Sequence, residues 1–274
     1  MQLPKKAQKQ SQRDDTATPV RRQGFWYNHS LSDPHAMNLI LLYDEDFVAT
    51  NRVRLHDRRF HHIRTIQQPE IGDRLRTGRL GGWIGSGRVV ALDNQSIELE
   101  TCFDQAPPPP LPLTLILALP RPKMLKRTLQ TIAAMGVARL YLVNSYRVDK
   151  SYWSTPLLSP ESIREHLLLG LEQAGDTRLP EVQLRKRFKP FVEDELPAIA
   201  AGTRALVAHP YNAIPCPDTA TIPTTLAIGP EGGFIAYEVE KLAEAGLTPV
   251  HIGRRILRVE TAVPVLLARL FPPE

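Results

Sequence analysis

Hydrophobic and polar positions fall into two regimes along the chain. Over residues 37–106 the apolar residues come in short runs, NLILL, RVRL, DRLRTG, GWIGSGRVVAL and SIELETCF, separated by Gly, Asp and Asn. Runs that short, punctuated that densely, predict the strands of a small β-barrel. Four prolines at 107–110 make a stiff extended linker, and residues 107–112 separate this part from the next. Beyond it the period lengthens. LTLILAL (113–119) reads as a buried strand, and Leu125, Leu129, Ile132 and Met135 recur at helical spacing, with Gly136 placed to end that helix.

The alternation continues to the C-terminus. LYLVN (140–144), RALVAH (204–209), TTLAIG (224–229) and PVHIG (249–253) predict strands. Ser159 followed by Pro160 predicts a helix start, with Ser as cap and Pro at the first helical position, and Gly175 closes that helix. Two further helices are predicted, over 236–245 and ending near Leu270. Strands alternating with helices imply a parallel sheet covered on both faces, so residues 113–274 predict an α/β domain. Residues 1–36 lack any hydrophobic period and read as a disordered basic tail. In that tail FWYNH at 25–29, beside Arg21 and Arg22, is its single nucleic-acid-like feature.

Composition changes this picture little. The net charge of +5 divides as +3 over residues 1–36, −1 over 37–111 and +3 over 112–274, so a polyanionic partner is favoured only mildly. Two cysteines, Cys102 and Cys216, exclude a disulfide framework and a four-cysteine metal site, and no metal is expected. No apolar run approaches membrane-spanning length and the N-terminus lacks a signal-peptide core, which makes a cytoplasmic location, with no membrane partner, the expectation. Arg52, Arg54, Arg58, Arg59 and Arg64 cluster with His56, His61 and His62 in the first half of the barrel, where a solvated or phosphate-contacting face is expected rather than a metal site.

Open α/β sheets bind ligands at loops leaving the carboxyl ends of strands. Three such loops stand out. Gly229-Pro230-Glu231-Gly232-Gly233-Phe234 follows TTLAI, and its glycines allow close approach of a ligand to the backbone, although no Lys-Ser/Thr follows as in a P-loop. The loop after PVHIG carries Arg258 and Glu260 just before an apolar helix that Thr261 is placed to cap. His209-Pro210-Tyr211-Asn212 follows ALVA.

The pair Gly229–Phe234 and Leu257-Arg258-Val259-Glu260-Thr261-Ala262 resembles the C-terminal signature of the SPOUT RNA methyltransferases, and within them the bacterial family that methylates N3 of a uridine in 16S ribosomal RNA. Lys123-Met124, Met135-Gly136-Val137, Glu172-Gln173, Arg178–Val182 and Ala208-His209-Pro210 agree. The resemblance runs from Met37 to the C-terminus. It implies a PUA-like RNA-binding barrel followed by an α/β domain with a trefoil knot, a homodimer, and a ribosomal RNA or small-subunit substrate. It also implies S-adenosylmethionine held by Leu206, Ala208, His209, Pro210, Ile228, Gly229, Pro230, Gly232, Gly233, Ile252, Gly253, Ile256, Leu257 and Thr261. RNA contacts are expected from the barrel arginines and Lys123. The chain departs from the family at Thr131 and Ala134, where a Lys and a Glu are usual, and at Thr65-Ile66-Gln67, where Val-Leu-Arg is usual.

Methyl transfer from a sulfonium needs no metal and no protein nucleophile; it needs an aligned acceptor. Uracil N3 is an acid about as weak as a phenol, near 10, and must lose its proton, while an ordinary Glu near 4.3 is a poor base for it. Arg258 is therefore expected to stabilise negative charge on the base, with Glu231 or Glu260 orienting it or accepting the proton. Another RNA acceptor, including a ribose 2′-hydroxyl, and an RNA-binding paralogue without catalysis are the alternatives.

Overall fold

Two sheets, one mixed and one wholly parallel, carry the chain. The computed structural model describes residues 38–218 and 222–272; the tail over 1–36, with Arg21, Arg22 and the aromatic stretch at 25–29, lies outside the described residues. The first sheet contains β1 (Ile40–Leu42), β2 (Phe47–Ala49), β3 (Arg52–Leu55), β4 (Arg74–Arg79), β5 (Ile84–Leu92) and β6 (Ile97–Gln105), in the order β1-β4-β5-β6-β3-β2. β1 pairs with β4 in parallel and the other pairs are antiparallel. A mixed sheet of this order is compatible with a barrel. Its core takes alternate residues, Val53 and Leu55 from β3 and Ile97 and Leu99 from β6, as the two-residue period of a strand requires. Between β3 and β4 the chain makes a short helix, α1 (Arg58–His62), capped by the Asp57 carboxylate, which accepts from Arg59 N.

The second sheet and its helices follow as β7 (Leu111–Ala118), α2 (Pro122–Ala134), β8 (Val137–Val143), α3 (Pro160–Ala174), β9 (Glu181–Arg185), α4 (Phe188–Pro190), α5 (Leu196–Ala200), β10 (Arg204–Ala208), β11 (Ile214–Pro215), β12 (Thr224–Ile228), α6 (Ala236–Glu244), β13 (Thr248–His251) and α7 (Val259–Leu270). All neighbours are parallel, in the order β11-β13-β10-β12-β7-β8-β9. Every residue of β12 is buried, as a central strand covered on both faces should be. α3 starts where its capping pattern places it, with Ser159 Oγ accepting from Ser162 N, and ends at Gly175 with φ +73°. α2 packs against α3 and α7, while α6 packs on β13.

The two sheets share one interior. Leu39, Leu41 and Ile84 of the first part belong to the same apolar cluster as the parallel sheet. Thr177 closes the junction, accepting from Gly81 N at 2.7 Å and donating through Oγ1 to Gly82 O at 2.6 Å. Arg58 adds a two-pronged pair with Glu172 at 3.0 and 2.8 Å. The described residues accordingly belong to one compact unit. The sheet order has one consequence for chemistry: β13, β10 and β12 lie side by side and parallel, so the loops that follow them leave the same edge.

Candidate functional site

These three loops enclose a cavity of about 580 Å³. Ala208, His209 and Pro210 reach it from the end of β10. Ile228, Gly229, Pro230, Glu231, Gly232 and Gly233 reach it from the end of β12, and Ile252, Gly253, Ile256 and Leu257 from the end of β13. Residues far apart in sequence thus meet because parallel strands present their carboxyl ends together.

The glycine loop is shaped by close approach. A Cβ at Gly229 would sit 2.9 Å from Phe234 N and 3.2 Å from Gly233 C, so the loop could not close on itself with any side chain there. Gly233 has φ +72° and its N–H donates to Pro230 O at 2.7 Å. A Cβ at Gly232 would lie 2.8 Å from Arg147 Cδ, and the Arg147 guanidinium donates to the Gly232 carbonyl.

A buried carboxylate fixes this loop to its neighbour. Glu238, 2% exposed in the first turn of α6, accepts from Ile235 N at 3.0 Å, from Tyr146 N at 2.7 Å and from Ser145 Oγ at 3.2 Å. One side chain therefore joins the start of α6 to the loop that follows β8. Each of these acceptances is a charge-assisted hydrogen bond in a dry setting, the stronger kind.

His209 lines the same cavity. Burial lowers its imidazole pKa, and its buried Nδ1 has no hydrogen-bond partner among the described residues. Its ring meets that of Tyr211 edge-on at 6.0 Å between centroids.

Four of the expected site residues do not line the cavity. Leu206 sits buried within β10, paired across to Leu226 and Thr248, and is part of the sheet core. Arg258 is exposed and occupies the N-cap of α7, between the lining residues Leu257 and Val259. Glu260 and Thr261 lie in the first turn of α7; Arg258, not Thr261, is the cap residue, and its carbonyl accepts from Thr261 N at 3.0 Å and Ala262 N at 2.7 Å. Glu231 lines the cavity and accepts from Arg121 N at 3.0 Å. Arg147, Tyr211 and Arg255 line it as well and were not among the expected residues. Only the spatial neighbourhood of β8 brings Arg147 there, a signal that a linear motif does not contain.

Four of the five arginines expected on a basic face of the first part pair with carboxylates. Arg52 and Arg54 pair with Glu98, Arg58 with Glu172, and Arg64 bonds to Asn94. Arg59 corrects the expectation outright. It is 6% exposed, pairs with Asp46 and Asp57, donates to Leu41 O at 2.6 Å and lies 4.1 Å from the Tyr43 ring centroid. Burial opposes its charge, yet the hydrogen bonds to both carboxylates hold its pKa above the ordinary arginine value. Its charge is consumed inside the fold, where a phosphate cannot reach it. Lys123 is exposed near the start of α2.

No group of three or more His, Cys, Asp or Glu among the described residues is placed to hold a metal ion. No helix of the described residues is long and apolar enough to cross a membrane.

Comparison with known proteins places this geometry. The RNA methyltransferase domain model matches residues 107–271. The chain is 28% identical over 238 residues to the ribosomal RNA small subunit methyltransferase E of Treponema pallidum, covering 82% of this chain and 87% of that one. It is 24% identical over 236 residues to ribosomal RNA small subunit methyltransferase E 1 of Borreliella burgdorferi, covering 82% and 94%. Among solved structures, it resembles ribosomal RNA small subunit methyltransferase E of Neisseria gonorrhoeae bound to S-adenosyl methionine, with TM-score 0.67, 21% identity, and coverage of 85% and 95%. A methyltransferase structure from Legionella pneumophila with bound SAM gives TM-score 0.67 at 20% identity, covering 85% and 96%.

Proposed function

The chain belongs to the RNA methyltransferase family, and from that premise we propose that it transfers a methyl group from S-adenosylmethionine to N3 of a uridine in 16S ribosomal RNA. The observation that carries the reading is the cavity built by the loops after β10, β12 and β13. At about 580 Å³ it lies within the usual range for small-molecule sites of roughly 300–1,000 Å³. Its walls suit the methyl donor: Gly233 leaves open space where a side chain would stand, and Ile228, Ile252, Ile256 and Leu257 offer apolar surface. When bound, S-adenosylmethionine supplies an electrophilic methyl group on its sulfonium.

The protein's part is positioning and charge. Arg258, exposed at the N-cap of α7 beside the cavity, meets the target base and stabilises the negative charge that grows as N3 loses its proton. Glu231, in the cavity wall, or Glu260, in the first turn of α7, orients the base or takes that proton. The base must leave its stack to be reached, at a cost of a few kcal/mol. The relatives' names, ribosomal RNA small subunit methyltransferases in both organisms, support the ribosomal substrate. Threading of the last third of the chain into a trefoil knot and pairing of two chains belong to the same proposal, as does a cytoplasmic site of action.

Transfer of labelled methyl from S-adenosylmethionine to small ribosomal subunits that lack the mark tests the reading. Wild type labels 16S rRNA at uridine N3, and Arg258→Ala retains cofactor affinity while losing most of the transfer. Label at a ribose 2′-hydroxyl, or none, rejects the reading; equal turnover in Arg258→Ala removes Arg258 from it.

A further inference from the structure

RNA chemistry needs a surface that holds the strand, and the barrel arginines that sequence suggested are mostly paired with carboxylates. A different basic surface lies beside the cavity. β8 and β9 run parallel, so the loops after them leave the sheet together, and Asn144 N donates to Arg185 O at 2.9 Å where they part. The loop after β8 presents Tyr146, 79% exposed. β9 ends at Arg185, and the chain runs on through Lys186-Arg187 into Phe188-Lys189 of α4. Arg185 pairs with Glu195 and Lys189 lies near Glu193, but among the described residues neither Lys186 nor Arg187 has an ion-pair partner. Both are exposed.

Each loop is tied to the cavity wall. Phe188 packs against Phe234 of the glycine loop at 6.1 Å between centroids. Tyr146 is held through its backbone N–H by Glu238, and its neighbour Arg147 donates to Gly232 O. An exposed ring on a fixed backbone, beside unpaired cations, is the pairing that single-stranded nucleic acids recognise: the ring stacks a base and the cations track the phosphates. Stacking loses little entropy here because the backbone carrying the ring is already fixed.

We propose that Tyr146, Lys186 and Arg187 form an RNA-contacting strip that delivers the strand to the cavity, with Tyr146 stacking on a base and the two cations on phosphates. This inference rests on the methyltransferase reading for its purpose, but its test does not depend on catalysis. Binding of a labelled single-stranded 16S rRNA fragment by the full chain is measured at several salt concentrations, alongside calorimetry with S-adenosylmethionine. Tyr146→Ala is expected to weaken RNA binding by roughly 5- to 150-fold, the range for loss of one base stack, and Tyr146→Phe to restore most of it. Lys186→Ala with Arg187→Ala is expected to lower the slope of log affinity against log salt by about 1.4, since each single-strand phosphate contact contributes about 0.7. S-adenosylmethionine affinity and the oligomeric mass stay at the wild-type values. RNA affinity within twofold of wild type in both variants overturns the proposal. So does an equal loss of cofactor affinity, or a change of oligomeric mass in Tyr146→Ala, which would assign the ring to a protein contact. If wild type binds RNA through the strip yet transfers no methyl group, the enzymatic reading fails and the strip stands.

Discussion

Replacing Gly229 with Ala asks whether the glycine loop has the shape argued for it. The added Cβ would meet Phe234 N at 2.9 Å, Gly233 C at 3.2 Å and the Phe234 ring at 3.2 Å. Two of these are backbone atoms of the same loop, which no rotamer change can move. Relief requires opening the turn that carries Gly232 and Gly233 in the cavity wall. Overpacking of this kind costs about 1–3 kcal/mol. If the bound state bears that cost, affinity for S-adenosylmethionine falls by roughly 5- to 150-fold at about 1.4 kcal/mol per tenfold. Gly233→Ala is the internal comparison: its Cβ meets nothing within 4 Å, and only the left-handed φ of +72° is penalised, by about 1 kcal/mol. Calorimetric titration with S-adenosylmethionine should rank the affinities wild type, then Gly233→Ala, then Gly229→Ala. A Gly229→Ala protein binding as tightly as wild type would refute the claim that this turn shapes the cavity.

Other perturbations separate stability from function. Arg59→Ala leaves the buried Asp46 without its partner and should cost about 3–5 kcal/mol of stability, visible in denaturant unfolding, with cofactor affinity unchanged. Gly170→Ala should lower the melting temperature although Ala favours helices, because its Cβ would lie 2.3 Å from Gln130 O and would force α3 away from α2. His209 has its pKa lowered by burial, so below the ordinary value near 6.5 the unfolded chain takes up the proton first and stability falls with falling pH until the folded pKa is passed. Melting temperature in His209→Phe should therefore depend less on pH below about 6.5 than in wild type.

The sequence made the parallel sheet and its three ligand loops readable, because their signals are local. Buried strands such as β7 and β12 are short continuous apolar runs, and Gly, Pro and capping residues mark where each stops. The loops that carry Ala208–Pro210, Ile228–Gly233, Ile252, Gly253, Ile256 and Leu257 were legible for the same reason, while those residues themselves came from the family resemblance. Other parts were not. β9 is an edge strand whose residues are half-buried or exposed, so Glu181–Arg185 shows no apolar run. The helical segments between it and β10 are interrupted by Pro190 and Pro197, which hide the period. The arginines of the mixed sheet and α1 illustrate a deeper limit: a cluster of like charges looks the same in sequence whether water or carboxylates face it. Arg59 meets Asp46 thirteen residues away, and Arg58 meets Glu172 more than a hundred away. Arg147 and Glu238 escaped notice likewise, since their roles exist only once β8 and α6 are neighbours.

Methyl transfer to a ribosomal uridine by this chain leaves a chemical mark in the cell. Nucleoside mass spectrometry of 16S rRNA from cells with the gene, without it, and complemented with Arg258→Ala tests that directly. The prediction is 3-methyluridine in the first and its loss in the other two. Equal amounts of 3-methyluridine with and without the gene would contradict it.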